Sequence, residues 1–302
     1  MSVILAVLID RWYGEPPPGM HPVVWMGRYL SRVGRPLPQY RPAVGLLLGT
    51  VYWLAGAIVV GGVYGYAAFA LSGTPWWLRI PLVALLLKPL FALRMLLGEV
   101  AAVEQSLRGD IEAGRARLAM IVSRDTTGLT AEEIREASLE SLAENLSDSV
   151  VAPLFWFMLC GLPGAAVYRF ANTADAMWGY RDRWEWAGKF AARMDDCLNF
   201  IPARLTALAL LLVHTQRWRL LSRLPREAAR TPSPNSGWPM AALALSRDIH
   251  LNKPGVYSLN EAARSPTAAD VPAALRLVNG TAWAIALLFA VLVEALHRVV
   301  HV

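Results

Sequence analysis

Long uncharged runs alternate with polar stretches along the chain, and these runs predict membrane-spanning helices. Residues 43–71 carry no charged side chain, and this run is longer than the about 20 apolar residues that a helix needs to cross a bilayer. Residues 80–97 and 281–296 predict two further spans. Lys88 and Arg94 interrupt the second of them. Because a charge facing lipid is costly, we expect both side chains to contact protein, water or headgroups.

Two other apolar segments are interrupted by helix-breaking residues. Residues 150–171 contain a Gly-Leu-Pro-Gly turn at 161–164. The turn divides the segment into pieces too short to cross a bilayer, which predicts a helical hairpin dipping into the membrane. Residues 198–213 have Pro202 and Arg204 near their start. We interpret both segments as broken elements that are re-entrant or interfacial.

The composition also indicates a membrane protein. Hydrophobic residues make up 55% and charged residues 17% of the chain, with a mean hydropathy of +0.37, whereas about a quarter of a soluble globular protein is charged. We therefore predict a mainly α, polytopic integral membrane protein with a single membrane-embedded domain over residues 1–302. Its re-entrant or broken helices would be joined by amphipathic helices at the cytoplasmic face. The net charge of +6 does not indicate nucleic-acid binding, because no basic stripe is interleaved with aromatics and no zinc-ligand spacing occurs.

The polar connections 98–149, 172–197 and 214–280 are predicted to form the functional site. The first ends in a helix that Thr130 and Glu133 would cap, with leucines on one face and carboxylates on nearly the opposite face. This acidic ladder consists of Glu133, Glu136, Glu140, Glu144 and Asp148. It is either a solvated helix face or a set of cation ligands. The apolar run that follows favours cation ligands, because it places the carboxylates against a membrane or a large core.

A second carboxylate group follows the interrupted segment. Asp195 and Asp196 each share a helical face with Asn199. Their oxygens are ligands of the kind that Mg²⁺ accepts beside substrate phosphates. The alternative is an ion cluster at a helix end, in which the aspartates pair with Arg193 and Arg204. The sequence leaves both interpretations open.

Arginines, a proline-rich loop and one histidine supply further candidates. Arg181 and Arg204 carry guanidinium groups that suit a phosphate or carboxylate. The loop at 231–239 offers hydroxyls, an amide and free backbone N–H groups between prolines, which suits an anion but is also compatible with an ordinary helix start. His21 precedes Pro22 in an N-terminal loop, where a histidine is more often structural than functional.

Several polar runs form a set of recognisable sequence blocks. They are GEP at 14–16, HPV at 21–23, IVSRDT at 121–126, ESLAENLSD at 140–148 with VVAPLF at 150–155, MDDCLNFIPAR at 194–204 and PSPNSGWP at 232–239. In their order and over nearly the whole chain, these blocks resemble those of the CobD/CbiB family, the adenosylcobinamide-phosphate synthases of cobalamin biosynthesis. The chain departs from the family pattern at Glu15, Ser149 and Trp178 and in a short loop between residues 34 and 42.

The resemblance implies a membrane enzyme that joins the carboxyl of adenosylcobyric acid to aminopropanol or aminopropanol phosphate. ATP would activate the carboxylate and Mg²⁺ would bridge phosphate oxygens, at a nucleotide site without a Walker A pattern. The implied catalytic residues are Glu140, Glu144, Asp148, Asp195 and Asp196, and all but Glu140 are also metal-ligand candidates. The substrate-binding candidates are His21, Arg124, Asn145, Asn172, Asp175, Arg181, Asn199, Arg204, Ser233, Asn235 and Ser236.

The resemblance also implies a setting and partners. We expect a multi-pass protein of the inner cell membrane with its active site towards the cytoplasm. Its partners would be the corrinoid, the amine, the lipid bilayer and other cobalamin-assembly proteins. The alternative function is a transport or scaffold protein that handles a corrinoid or ions without making bonds. The absence of an internal sequence repeat weakens the transporter alternative.

Overall fold

The computed structural model describes residues 1–180, 183–212 and 217–300, and these residues are mostly helical. In chain order the elements are α1 (Ser2–Tyr13), α2 (Pro22–Gly34), α3 (Pro42–Ser72), α4 (Trp76–Leu87), α5 (Leu93–Gly109), α6 (Ile111–Leu118), α7 (Ala131–Leu146), α8 (Ala152–Trp178), α9 (Lys189–Leu212), α10 (Arg217–Ala228), α11 (Gly237–Arg247), β1 (Leu251–Lys253), β2 (Tyr257–Leu259) and α12 (Asp270–Val300). Short 3₁₀ turns cover Leu37–Gln39 and Lys88–Leu90, and a π-helical segment covers Ser147–Val151. The mainly α prediction is confirmed.

Four helical stretches are long and apolar enough to cross a membrane, judged by length and composition within the described residues. They are Pro42–Ser72, Trp76–Gly109, Ala131–Trp178 and Asp270–Leu296. The spans predicted at 43–71 and 281–296 therefore lie within α3 and α12. The polytopic membrane character predicted from the sequence is confirmed at this level.

The span predicted at 80–97 is a single stretch in sequence but not a single helix. Helix α4 ends at Leu87, a 3₁₀ turn follows, and α5 begins at Leu93. Pro89 explains the break, because proline has no N–H to donate and its ring displaces the carbonyl one turn earlier. Lys88 is buried in protein, as the sequence predicted for a charge within an apolar stretch.

The interruption predicted in 150–171 is confirmed at Gly161. This residue has φ 64° and ψ −156° within α8, a backbone conformation that glycine adopts without a Cβ clash. The chain turns so sharply there that a Cβ on Gly164 would lie 2.5 Å from the carbonyl oxygen of Trp156. Helix α8 is therefore two helices joined by a tight turn. Its insertion into a membrane stays a prediction.

The break predicted in 198–213 is wrong for the described residues. Helix α9 runs from Lys189 to Leu212 with Pro202 inside it. Pro202 cannot donate to the carbonyl of Leu198, which lies four residues earlier. The indole N–H of Trp156 donates to that carbonyl instead, at 3.0 Å. The helix continues because a side chain elsewhere replaces the lost hydrogen bond, a compensation that local sequence does not reveal.

The described residues group into two compact units. Unit 1 contains Met1–Ala92, Ala152–Asn199 and the end of α12 from Ala286. Within it α3 packs on α8 and α1 packs on α4, and Trp53 contacts the rings of Phe170 and Phe190. The single membrane-embedded domain predicted from the sequence stays a prediction.

Unit 2 contains Leu93–Val151 and Phe200–Ile285. Its helices α5, α6 and α7 enclose a core that includes Val103, Leu118 and Ile134. Helix α11 and strand β1 also pack on α7. The antiparallel hairpin of β1 and β2 pairs Leu251 with Leu259 and Lys253 with Tyr257. Helix α7 is therefore covered on more than one side by its own unit.

Candidate functional site

Helix α7 begins as the sequence predicts. The Thr130 hydroxyl accepts a hydrogen bond from the Glu133 N–H at 3.3 Å, and the Glu133 carboxylate accepts one from the Thr130 N–H at 2.7 Å. This capping box satisfies two N–H groups that a helix start leaves without partners. The predicted apolar stripe is fully buried, with Leu139, Leu142 and Leu146 all 0% exposed.

The acidic ladder of α7 is not a uniformly solvated face. Glu136 and Glu140 are only 3% and 2% exposed, whereas Glu144 and Asp148 are partly exposed. The buried carboxylates lie where α11 and β1 cover α7. Because burying an unpaired charge is expensive, both carboxylates need polar partners, and the fold places Arg124 beside Glu140 and His250 beside Glu136.

The two buried carboxylates and their partly buried neighbours form a group that we call the Glu140 cluster: Arg124, Glu136, Glu140, His250 and Tyr257. Arg124 makes an ion pair with Glu140. The Nδ1 atom of His250 lies 3.3 Å from Glu136 Oε1, and its Nε2 lies 3.1 Å from the Ser258 hydroxyl. Burial and the neighbouring Glu140 carboxylate raise the pKa of Tyr257. Arg124, a predicted substrate ligand, is thus positioned by a predicted catalytic carboxylate.

The end of α7 carries three more predicted residues. The Asn145 amide donates to the Ser141 carbonyl at 3.0 Å and accepts from the Ser149 hydroxyl at 3.2 Å, so both ends of this amide bond within the helix. Glu144 precedes the π-helical segment and Asp148 lies inside it. Among the described residues, no group of three or more His, Cys, Asp or Glu side chains is close enough to hold a metal ion.

Arg204 and the proline-rich loop come together within unit 2. The Arg204 guanidinium donates to the Asn235 side-chain oxygen at 3.3 Å and to the Phe200 carbonyl at 2.6 Å. Its guanidinium carbon lies 3.4 Å from the ring centre of Phe200 and 4.6 Å from that of Trp238. Ring contacts of this kind hold the flat guanidinium in one plane.

The N–H groups of this loop are less available than the sequence suggested. The N–H groups of Asn235 and Ser236 both donate to the Ser233 hydroxyl, at 3.2 Å each. The loop also needs glycine at position 237, because a Cβ there would lie 2.2 Å from the Ala228 carbonyl oxygen. Ser233 and Ser236 therefore shape the loop, and Asn235 supplies its side-chain hydrogen bond to Arg204.

The second carboxylate group lies in unit 1. The Asn172 amide donates to Asp195 at 3.3 Å, and Asp195 and Asn199 are 9% and 3% exposed. Asp196 is close enough to Asp175 to repel it electrostatically. The ion cluster proposed as an alternative is present only in part, as a long contact of 3.9 Å between Asp196 and the exposed Arg193. Arg181 lies outside the described residues.

His21 belongs to a different group, the Lys88 cluster of unit 1, formed by Asp10, Glu15, His21 and Lys88. The Lys88 ammonium lies 3.1 Å from Asp10 and 2.8 Å from Glu15. His21 caps α2, because its Nδ1 accepts the Val23 N–H at 3.2 Å, and its Nε2 donates to Glu15 at 2.9 Å. Both ring nitrogens are thus engaged in holding the N-terminal loop, which supports the structural interpretation of His21.

The predicted residues therefore fall into the two units. Unit 2 holds Arg124, Glu140, Glu144, Asn145, Asp148, Arg204, Ser233, Asn235 and Ser236. Unit 1 holds His21, Asn172, Asp175, Asp195, Asp196 and Asn199. Sequence reasoning missed His250 and Tyr257. A Pro-Gly turn at 254–255 between two short alternating runs indicates a hairpin, but nothing local indicates that it covers α7.

Comparisons with known proteins agree with the sequence blocks. A family model described as "CobD/Cbib protein" matches residues 3–278. A probable cobalamin biosynthesis protein CobD from Pyrococcus abyssi is 44% identical over 90% of this chain and 88% of its own length. One from Methanothermobacter thermautotrophicus is 42% identical over 86% of each chain. A cobalamin biosynthesis protein CobD from Chromobacterium violaceum is 40% identical over 97% of each chain. No solved structure matches.

Proposed function

Because the chain belongs to the CobD/CbiB family, we propose that it is an adenosylcobinamide-phosphate synthase acting in cobalamin biosynthesis. In the proposed reaction, the free carboxyl of adenosylcobyric acid forms an amide with the amine of aminopropanol or aminopropanol phosphate. Amide formation requires a carboxylate oxygen to leave. Phosphoryl transfer from ATP to that oxygen would turn it into a phosphate leaving group, which departs when the amine attacks.

The observation that supports an enzyme best is the Glu140 cluster. Arg124 is partly buried and is held by the buried Glu140 carboxylate, and an ion pair of this kind loses hydration on burial. Glu140 fixes the position of Arg124, and the same helix continues to the partly exposed carboxylates Glu144 and Asp148. Phosphoryl transfer depends chiefly on such fixed charges. We assign Glu140 as the positioning residue and Arg124 as the phosphate ligand.

Mg²⁺ fits the donors that unit 2 presents. Magnesium is commonly held by one or two carboxylates together with substrate phosphates rather than by a complete protein cage. Glu144 and Asp148 would supply those carboxylates, and Asp195 and Asp196 are the candidates in unit 1. A bound Mg²⁺ would neutralise phosphate charge during transfer. Glu144 would also accept a hydrogen bond from the substrate amine and orient it for attack.

Arg204 and Asn235 are assigned to an anionic group of a substrate. The ring contacts of Phe200 and Trp238 fix the plane of the Arg204 guanidinium, which is the preorganisation that two parallel hydrogen bonds to a phosphate or carboxylate need. Asn172, Asp175 and Asn199 are proposed as further substrate contacts in unit 1. The substrates that these side chains would contact are adenosylcobyric acid, the amine and ATP.

Product formation by the purified protein tests this function. The full chain is given ATP, Mg²⁺, adenosylcobyric acid and either aminopropanol or its phosphate, and the amide is measured by mass spectrometry. We expect ATP-dependent product, and omission of Mg²⁺ should remove it. A protein that binds the corrinoid but forms no amide with either amine would contradict the proposal and favour transport or scaffolding.

The proposed location is the inner cell membrane, with the active site towards the cytoplasm. Pro234 is exposed whereas the neighbouring Asn235 is buried, so Pro234 is the better place for a cysteine probe. Cys160 and Cys197 are both exposed and must first become serine. A membrane-impermeant thiol reagent should leave Pro234→Cys unlabelled in intact cells and label it in lysed cells. Labelling in intact cells would overturn the cytoplasmic orientation.

A further inference from the structure

Helix α2 presents three arginines on one exposed face. Arg28, Arg32 and Arg35 follow one another at helical spacing, and together they line an open cavity of about 630 Å³. Arg35 also lines a cavity of about 450 Å³ with Arg183 and Trp184. The guanidinium groups of this arginine face thus surround space large enough for a phosphate-bearing group.

The stretch of chain around these arginines contains no acidic side chain. From residue 16 to residue 98 the sequence contains no Asp or Glu. Within the described ranges, the guanidinium groups of Arg28, Arg32 and Arg35 have no ion pair or hydrogen bond. Unit 2 is different, because several of its arginines pair with carboxylates; these include Arg115, Arg117, Arg124, Arg135 and Arg230. Like charges at this helical spacing repel one another, and a bound anion would relieve that repulsion.

The arginines are held at fixed backbone positions. The opposite face of α2 buries Met26 and Leu30, at 5% and 0% exposure. Gly34 lies so close to Trp178 that a Cβ there would be 2.5 Å from the indole nitrogen. Trp178 in turn stacks on Trp184 at 6.1 Å between ring centres. The end of α2 is therefore anchored to α8, and the backbone of the helix cannot move to separate the three arginines.

The position of the face along the chain indicates the source of the anion. Arg41 and Tyr40 are exposed and immediately precede α3, whose residues 43–71 carry no charge. Basic and aromatic side chains beside the end of an apolar span lie at the level of lipid headgroups. We propose that the arginine face of α2 is a binding site for the phosphate of anionic membrane lipids.

Lipid retention in bilayer discs tests the proposal. The full chain is placed in discs of phosphatidylcholine with or without phosphatidylglycerol, and bound phosphatidylglycerol is counted by native mass spectrometry after ejection from the disc. The variant R28Q/R32Q/R35Q is compared with R193Q/R219Q/R226Q, which removes the same charge from exposed positions on α9 and α10, outside the four membrane-capable stretches. We expect the first to bind phosphatidylglycerol on the order of 100-fold more weakly than wild type, since each such arginine contributes several-fold. The scattered variant should bind as wild type does.

Two outcomes would overturn the proposal. Equal phosphatidylglycerol retention by the two triple variants would mean that the arginine face is not the lipid site. Raised thermal stability of the wild type with inorganic phosphate or ATP in pure phosphatidylcholine discs, lost in R28Q/R32Q/R35Q, would assign the face to a soluble phosphate compound. If the triple variant does not fold, the comparison of R28Q/R32Q with R193Q/R219Q tests the same point with two charges removed.

Discussion

Each unit buries an ion cluster, and the two clusters differ in what their charges can reach. In the Lys88 cluster, the ammonium bonds to Asp10 and Glu15, and Glu15 accepts from His21, so each charged group is occupied by another member. In the Glu140 cluster, the buried Glu140 lies on a helix that continues to the partly exposed Glu144. The first arrangement holds an N-terminal loop against an apolar stretch. The second adjoins carboxylates that are partly exposed.

The largest expected effect is the loss of the Lys88 ammonium. Lys88→Met leaves Asp10 and Glu15 without their buried counterion, and breaking a buried ion pair from one side costs about 3–5 kcal/mol of stability. The thermal unfolding midpoint in detergent should fall strongly, while product formed per folded molecule stays unchanged. The double variant Lys88→Met/Asp10→Asn should regain part of the loss, because it also removes a stranded charge. An unchanged midpoint would show that the Lys88 cluster does not stabilise the fold.

The next effect should fall on activity alone. Glu144→Gln is nearly isosteric and removes a partly exposed charge, so we expect turnover to fall about 100-fold, equivalent to about 2.7 kcal/mol of transition-state stabilisation, with an unchanged unfolding midpoint. Glu132→Gln is the matched control, because Glu132 is an exposed carboxylate in the first turn of the same helix. Full turnover in Glu144→Gln would mean that Glu144 belongs to a solvated helix face and is not a cation ligand.

A smaller effect on turnover is expected at Asp196. Its contact with Arg193 is long and partly exposed, and such pairs contribute roughly 0–1 kcal/mol, so the loss of this contact should hardly change the unfolding midpoint. If Asp196 holds metal-bound phosphate, turnover should fall about tenfold and more Mg²⁺ should be needed for half-maximal rate. Arg193→Gln breaks the same contact from the other side and should keep normal turnover. A stability loss with an unchanged Mg²⁺ response would make the contact structural.

The smallest effect concerns the pH dependence of the Lys88 cluster. Burial raises the pKa of Glu15, but hydrogen bonds from His21 and Lys88 outweigh burial and hold the pKa below its ordinary value of 4.5. A carboxyl whose folded pKa is lowered stabilises the fold above its unfolded pKa, and this contribution disappears as pH falls through the lowered value. Unfolding midpoints of wild type and Glu15→Gln should therefore differ at neutral pH and converge below about pH 4.5. A difference independent of pH would contradict the ionic role.

The parts of this fold that follow from nearby residues could be predicted. The capping box at Thr130, the uncharged span at 43–71 and the turn at Gly161 each depend on a few neighbouring residues. The continuity of α9 could not be predicted, because the donor that replaces the Pro202 N–H comes from Trp156. The buried state of Glu140 likewise depends on Arg124 and on a hairpin more than a hundred residues later in the chain.

The candidate site was predictable by residue type but not by role. The helical spacing of the carboxylates indicated one set of ligands. Their burial differs, because Glu140 is buried and positions Arg124, whereas Glu144 is partly exposed. For Ser233 and Asn235 the sequence indicated an anion-binding loop. The Ser233 hydroxyl accepts the N–H groups that such a loop would offer. Side-chain burial and competing hydrogen bonds decide these roles, and neither is visible in residue spacing.

Because Ser147–Val151 form a π-helical segment, the number of residues in this segment matters as much as their identity. A π turn carries one more residue than an α turn, and each residue advances an α-helix by about 100° around its axis. The extra residue therefore changes the phase of the positions that follow the segment, whereas Asp148 lies near its start. Removing a single residue after Asp148 would turn those later positions by about 100° while leaving every candidate carboxylate of α7 in the protein. An insertion or deletion can thus re-aim side chains after the segment, a route that no substitution imitates.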